Sequence, residues 1–128
     1  MRIDFHASSE PTLGVEWELA LVDRRTRDLR NEASHLFARA RPRLPHPERL
    51  HQELLRNTVE IVTGICHDVP EAMGDLRATL EGVVSGCDDL DLDLFGAGTH
   101  PFAAWSGQQL SEGARYEELI NRTQWWGR

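Results

Sequence analysis

Thr12-Leu13-Gly14-Val15-Glu16-Trp17-Glu18-Leu19-Ala20-Leu21-Val22 carries a large apolar residue at every second position, which predicts a β-strand. Side chains alternate between strand faces, so Val15, Trp17, Leu19 and Leu21 point one way and Gly14, Glu16, Glu18 and Ala20 the other. Two carboxylates on one face repel each other unless water or a cation screens them. Magnesium suits the pair, because it takes hard oxygen ligands and is commonly held by one or two carboxylates together with substrate phosphates. A half-exposed strand with two solvated glutamates accounts for this stretch equally well, so the rest of the chain has to decide.

A second interrupted strand lies in Leu54-Leu55-Arg56-Asn57-Thr58-Val59-Glu60-Ile61-Val62-Thr63, whose β-branched second half predicts a strand ending near Gly64. Val59 and Ile61, with Ile65 continuing, share one face, and Thr58, Glu60 and Val62 the other. A charged group flanked by Ile and Val needs a partner or a metal, which strengthens the metal reading of Glu16 and Glu18. Leu92-Asp93-Leu94-Phe95-Gly96-Ala97-Gly98-Thr99-His100-Pro101 is the third predicted strand, with Gly96, Gly98 and His100 on one face as a bare floor beside a histidine. A glycine-rich strand end turning at Pro101 fits the same residues as well.

Between the strands, Asp23 to Asp28 is a charged turn, and Asn31 to Ala38 suggests a short helix that carries Leu36 and Phe37 inward. Pro42, Pro45 and Pro47 mark a loop from Arg39 to Pro47. Asp68-Val69-Pro70-Glu71 is a helix start with a capping residue, a proline in the first turn and a capping-box glutamate. The helix runs to about Asp89, with Met73, Leu76, Leu80, Val83, Cys87 and Leu90 as its apolar stripe. Gly82 and Gly86 would weaken a free-standing helix and suggest close approach to a sheet. After a loop from Phe102 to Gly113, Ser111 opens a final helix, and Arg115 near its start can meet an anionic substrate. The adjacent Trp125 and Trp126 need something to pack against, as though the chain were cut short.

A chain of 128 residues with 40% hydrophobic residues is one domain's worth and can bury a core. Its net charge of -7 and the acidic run at Asp88, Asp89, Asp91 and Asp93 argue against nucleic acid and anionic membrane as partners. Two distant cysteines, Cys66 and Cys87, with no apolar leader or span, indicate reduced, buried thiols in a cytoplasmic protein.

Gly14-Val15-Glu16-Trp17-Glu18, Asn57-Thr58-Val59-Glu60-Ile61-Val62-Thr63, Gly98-Thr99-His100-Pro101-Phe102 and Arg115-Tyr116, in this order and spacing, resemble the glutamate-cysteine ligase type 2 family, the carboxylate-amine ligases, in its actinobacterial form. The resemblance spans the whole chain but only about the first third of such an enzyme. It implies an α+β architecture, part of a glutamine-synthetase-like catalytic fold: an antiparallel sheet backed on one face by helices, its open face holding ATP and divalent cations. Matched by position, Glu16, Glu18 and Glu60 would bind Mg2+, His100 would lie at the cofactor ATP, and Arg115 would be catalytic.

The implied reaction joins the γ-carboxylate of L-glutamate to the amine of L-cysteine through an acyl phosphate, with ATP and Mg2+. A related acid or amine, and a non-catalytic binding module, are the alternatives. Residues 1–128 would be the N-terminal part of a single catalytic domain, and the isolated chain is expected to be weakly stable and inactive, with its oligomeric state open.

Overall fold

The computed structural model describes residues 9–123. His6, Trp125 and Trp126 lie outside the described residues. The regular elements are β1 (Glu16–Asp23), α1 (Ala33–Ala40), β2 (Leu50–Gln52), β3 (Thr58–Val62), α2 (Val69–Asp88), β4 (Leu92–Phe95) and α3 (Ala114–Thr123). The strands form one sheet in the order β2-β3-β1-β4, with every neighbouring pair antiparallel. The protein is therefore α+β.

Alternation along β1 produces the two faces expected of it. Leu19 and Leu21 are buried with Val59 and Ile61 of β3, Leu50 of β2 and Leu92 of β4, and they meet Leu36, Phe37 and Ala40 of α1 and Leu76, Val83 and Cys87 of α2 in one core. Glu16 and Glu18 stay exposed on the opposite face. Trp17 is also exposed, because β4 pairs with β1 only from Ala20 onward and leaves the lower half of that edge open.

Several expectations change, among them the start of the last helix, which is Ala114 and not Ser111. The third strand stops at Phe95, so Gly96 to Pro101 is not strand and the shared face of Gly96, Gly98 and His100 does not exist. Ile65 does not continue the inward face of β3 but is exposed. The stretch after Pro47 yields the short strand β2, whose pairing with β3 makes the sheet four-stranded. Finally, Gly82 and Gly86 approach a helix and its following turn rather than the sheet. A Cβ on Gly86 would stand 3.0 Å from the Ala40 Cβ and the Leu36 Cδ1, and one on Gly82 would overlap the Leu44 side chain.

That approach rotates the buried side of α2. Ala72, Thr79, Gly82 and Gly86 are buried and Met73 is exposed, because small residues let α1 settle against α2. Asp68 starts α2, its carboxylate accepting from the Glu71 N–H at 2.8 Å, while the Glu71 carboxylate accepts from the His67 N–H at 2.7 Å. The contrast between its glycines is testable by urea melts. Gly74→Ala, in open space, should stabilise by about 0.5–1 kcal/mol through helix propensity. Gly86→Val should cost about 1–3 kcal/mol, because the added atoms meet α1; equal effects would mean that the helices are not in close contact.

On the other side of β2, Tyr116 of α3 donates its hydroxyl to the Gln52 carbonyl at 2.6 Å, and the Ser111 and Arg56 N–H groups bond the Leu54 and Gln109 carbonyls. Among the described residues, no helix is long and apolar enough to cross a membrane. Cys66 and Cys87 are buried free thiols, and burial pushes the Cys87 thiol up to about 12.

Candidate metal centre

The register of the sheet decides where the sequence-predicted glutamates meet. Glu18 of β1 stands directly opposite Glu60 of β3, and Glu16 opposite Val62, so all three glutamates share the face that the helices leave uncovered. On the far side of β3, Glu60 pairs with His51 of β2. Two residues further along β2's direction comes Glu53, which alternation returns to the open face. One carboxylate oxygen from each of Glu18, Glu53 and Glu60 lies within 4.8 Å of the others.

Glu53 is the ligand candidate that sequence reasoning missed. Its signal was the alternation of His51 and Glu53, hidden because three residues without β-branching do not read as a strand. Glu16 falls outside the 4.8 Å group but borders the same hollow of about 780 Å³ as Glu53, Glu60 and Arg115. Arg115, exposed on α3, is the one arginine among the described residues that lines that hollow. His100 is not brought into the carboxylate group. Its Nε2 donates to the Arg27 carbonyl at 2.9 Å, and its Nδ1 accepts from the Ala103 N–H at 3.1 Å, so the ring ties the 96–103 loop to the turn after β1. Both nitrogens are engaged by backbone in the neutral tautomer, and the ring is left with its faces, packed edge-on by Phe95 and Phe102.

Elsewhere several of the chain's acids pair with arginine. Arg24 pairs with Asp88 and Asp93, Arg27 with Asp93, Arg30 with Asp23 and Glu32, Arg43 with Asp89, and Arg49 with Asp75. Among the described residues, no such ion pair reaches Glu16, Glu18, Glu53 or Glu60. Burial, and then the carboxylates of Glu53, Glu16 and Glu18, hold the Glu60 carboxyl above its ordinary value, with His51 opposing.

Octahedral magnesium at 2.0–2.1 Å places ligand oxygens about 3–4 Å apart, so the observed spacing closes on one ion with small side-chain rotations. The donor set, all hard oxygen, fits the group.

The raised value of Glu60 fixes a sign. Between the ordinary carboxyl value of 4.5 and its own, the folded protein binds a proton that the unfolded chain has released, so this group's contribution to stability falls as pH rises through that window. Asp23, held at about 2 by the Thr26 and Arg25 N–H groups, acts in the opposite sense, its contribution being lost only as pH falls towards that value. The Glu60 effect is therefore read as the difference between wild type and Glu60→Gln in urea melts from pH 4 to 7, without divalent ions. The variant should gain on wild type as pH rises, by about 0.2–1 kcal/mol for relief of the Glu18 pair alone; a flat difference would contradict the arrangement.

Fold and site together define an α+β protein whose sheet has one face in the core and the other lined with carboxylates that no ion pair reaches among the described residues. The chain belongs to glutamate-cysteine ligase family 2 (GCS2), whose profile matches residues 12–128. Over its whole length it is 80% identical to "Putative glutamate--cysteine ligase 2-3" of a Nocardioides species, covering 34% of that protein. Over 99% of the chain it is 59% identical to "Putative glutamate--cysteine ligase 2-1" of Mycobacterium sp. (strain JLS), covering 33% of it. A third relative, "Putative glutamate--cysteine ligase 2" of Mycobacterium bovis, is 58% identical over the same share of the chain, again with 33% covered. The chain thus spans about a third of the length of these curated relatives.

Proposed function

We propose that the chain is the metal-binding part of an ATP-dependent carboxylate-amine ligase that joins the γ-carboxylate of L-glutamate to the amine of L-cysteine through an acyl phosphate. Family membership and the names of the relatives support the ligase class. The carrying observation is the meeting of Glu18, Glu53 and Glu60 within 4.8 Å on the open face, with no ion pair to any of them among the described residues. Bound Mg2+ would supply charge neutralisation for phosphoryl transfer, a reaction that depends on positioning and electrostatics more than on a protein nucleophile.

The three glutamates would hold the ion, with Glu16 beside them, and β3 and β1 fix Glu60 and Glu18 in register. Arg115 would meet an anionic group across the same hollow through its planar donors. His100 would shape the wall of the ATP site by holding the 96–103 loop, its nitrogens being committed to backbone. We place the glutamine-synthetase-like fold and a cytoplasmic setting in the same proposal; the two buried free thiols accord with a reducing compartment.

The test is ADP release by a chain of the relatives' full length, with Mg2+ and a panel of acids and amines. Release that requires both L-glutamate and L-cysteine is the expected result. Release with a different pair would keep the ligase class and replace the substrates, and no release with any pair would overturn the proposal.

A further inference from the structure

A second hollow, of about 630 Å³, opens where β4 stops pairing with β1 and the chain leaves the sheet at Gly96. Trp17, Phe95 and Trp105 stand in its walls, the Gly96 to Thr99 backbone borders it, and Glu18 connects it with the carboxylate group. Asn57 also lines it and is 2% exposed. The Asn57 side-chain oxygen accepts from the Thr58 hydroxyl at 3.1 Å, but its Nδ2 has no partner. Leaving a buried amide N–H unmatched costs about 1–3 kcal/mol, so native structures rarely do so without a water or ligand to complete it.

The chemistry of the lining narrows the occupant. An amide nitrogen only donates, so its complement brings an acceptor oxygen. Glu18 seeks a positive group, and the indole of Trp105, 74% accessible, offers apolar cover in the wall of the same hollow. Among the described residues no arginine lines this hollow, in contrast to the one that Arg115 borders, so it is poorly matched to a dianion such as a phosphate or a dicarboxylate.

We propose that this hollow is the subsite for the amine-donating substrate, a small zwitterionic α-amino acid whose carboxylate meets the Asn57 amide and whose amine lies at Glu18. This rests on the ligase reading above. Asn57 and the indole walls then become the determinants of which amine is taken, and Glu18 sets the amine beside the cation site.

The probes are L-cysteine, L-glutamate, adenosine and Mg2+, each added alone to the isotope-labelled 128-residue chain and followed by NMR. L-cysteine should shift the Asn57 side-chain NH2 and the Trp17 and Trp105 indole signals saturably. Asn57→Leu should weaken that binding about tenfold or more. Gly98→Leu, whose Cβ meets no atom within 4 Å, should do the same by filling the space without strain on the fold. Shifts of those signals with adenosine or L-glutamate but not L-cysteine would overturn the assignment, as would silence with all three, which would mark the Asn57 amide as met by water. Mg2+ separates the two proposals: carboxyl shifts at Glu18 and Glu60 with no L-cysteine response refute this subsite alone, whereas no Mg2+ response refutes the metal reading beneath it.

Discussion

Leu21→Ala is expected to destabilise the 128-residue chain by about 3–4 kcal/mol, read as a fall in the urea midpoint at unchanged slope. Leu21 is fully buried in the central part of the sheet, among residues of α1, α2 and the other strands. Truncation removes the transfer energy of three carbons and leaves a cavity that two helices and a sheet cannot close together. A domain of this size holds about 5–15 kcal/mol in all, so the loss is a large share of the total. Glu16→Gln, on the other face of the same strand, should change stability by less than about 0.5 kcal/mol. A Leu21→Ala cost below about 1 kcal/mol would mean that β1 does not seat the core.

The second large effect is functional and rests on the proposed reaction. In a chain of the relatives' full length, Glu60→Gln should lower ADP release by about a hundredfold or more, since several kcal/mol of charge stabilisation depend on the cation. Glu60 is the most consequential of the three ligand candidates, because it sits in the interior strand of the acidic patch, between Glu18 and His51. An unchanged rate, with intact folding, would remove Glu60 from the site.

The two faces of β1 were legible because period-two alternation is a strong local signal, and Val59, Glu60 and Ile61 repeated it. The start of α2 was equally plain in Asp68, Pro70 and Glu71. What sequence hid was decided by tertiary partners. Leu50-His51-Gln52 becomes a strand only because β3 offers it a ladder, and Glu53 went unnoticed with it. β4 ends at Phe95, and beyond it the His100 ring bonds the Arg27 carbonyl, 73 positions away, a contact that no local pattern announces. The buried side of α2 follows Ala72, Gly82 and Gly86 instead of Met73, since close helix contact rewards small residues over large apolar ones.

Divalent-ion titration of the 128-residue chain, followed by the NMR signals of the Glu18, Glu53 and Glu60 side-chain carboxyls, addresses the central claim most directly. Mg2+ should shift all three together and saturably, in roughly the millimolar range of weak oxygen-ligand sites, and the Glu18→Gln, Glu60→Gln double variant should abolish the response. Carboxyl shifts that are absent, or that persist at Glu53 unchanged in the double variant, would contradict a shared ion on the open face of the sheet.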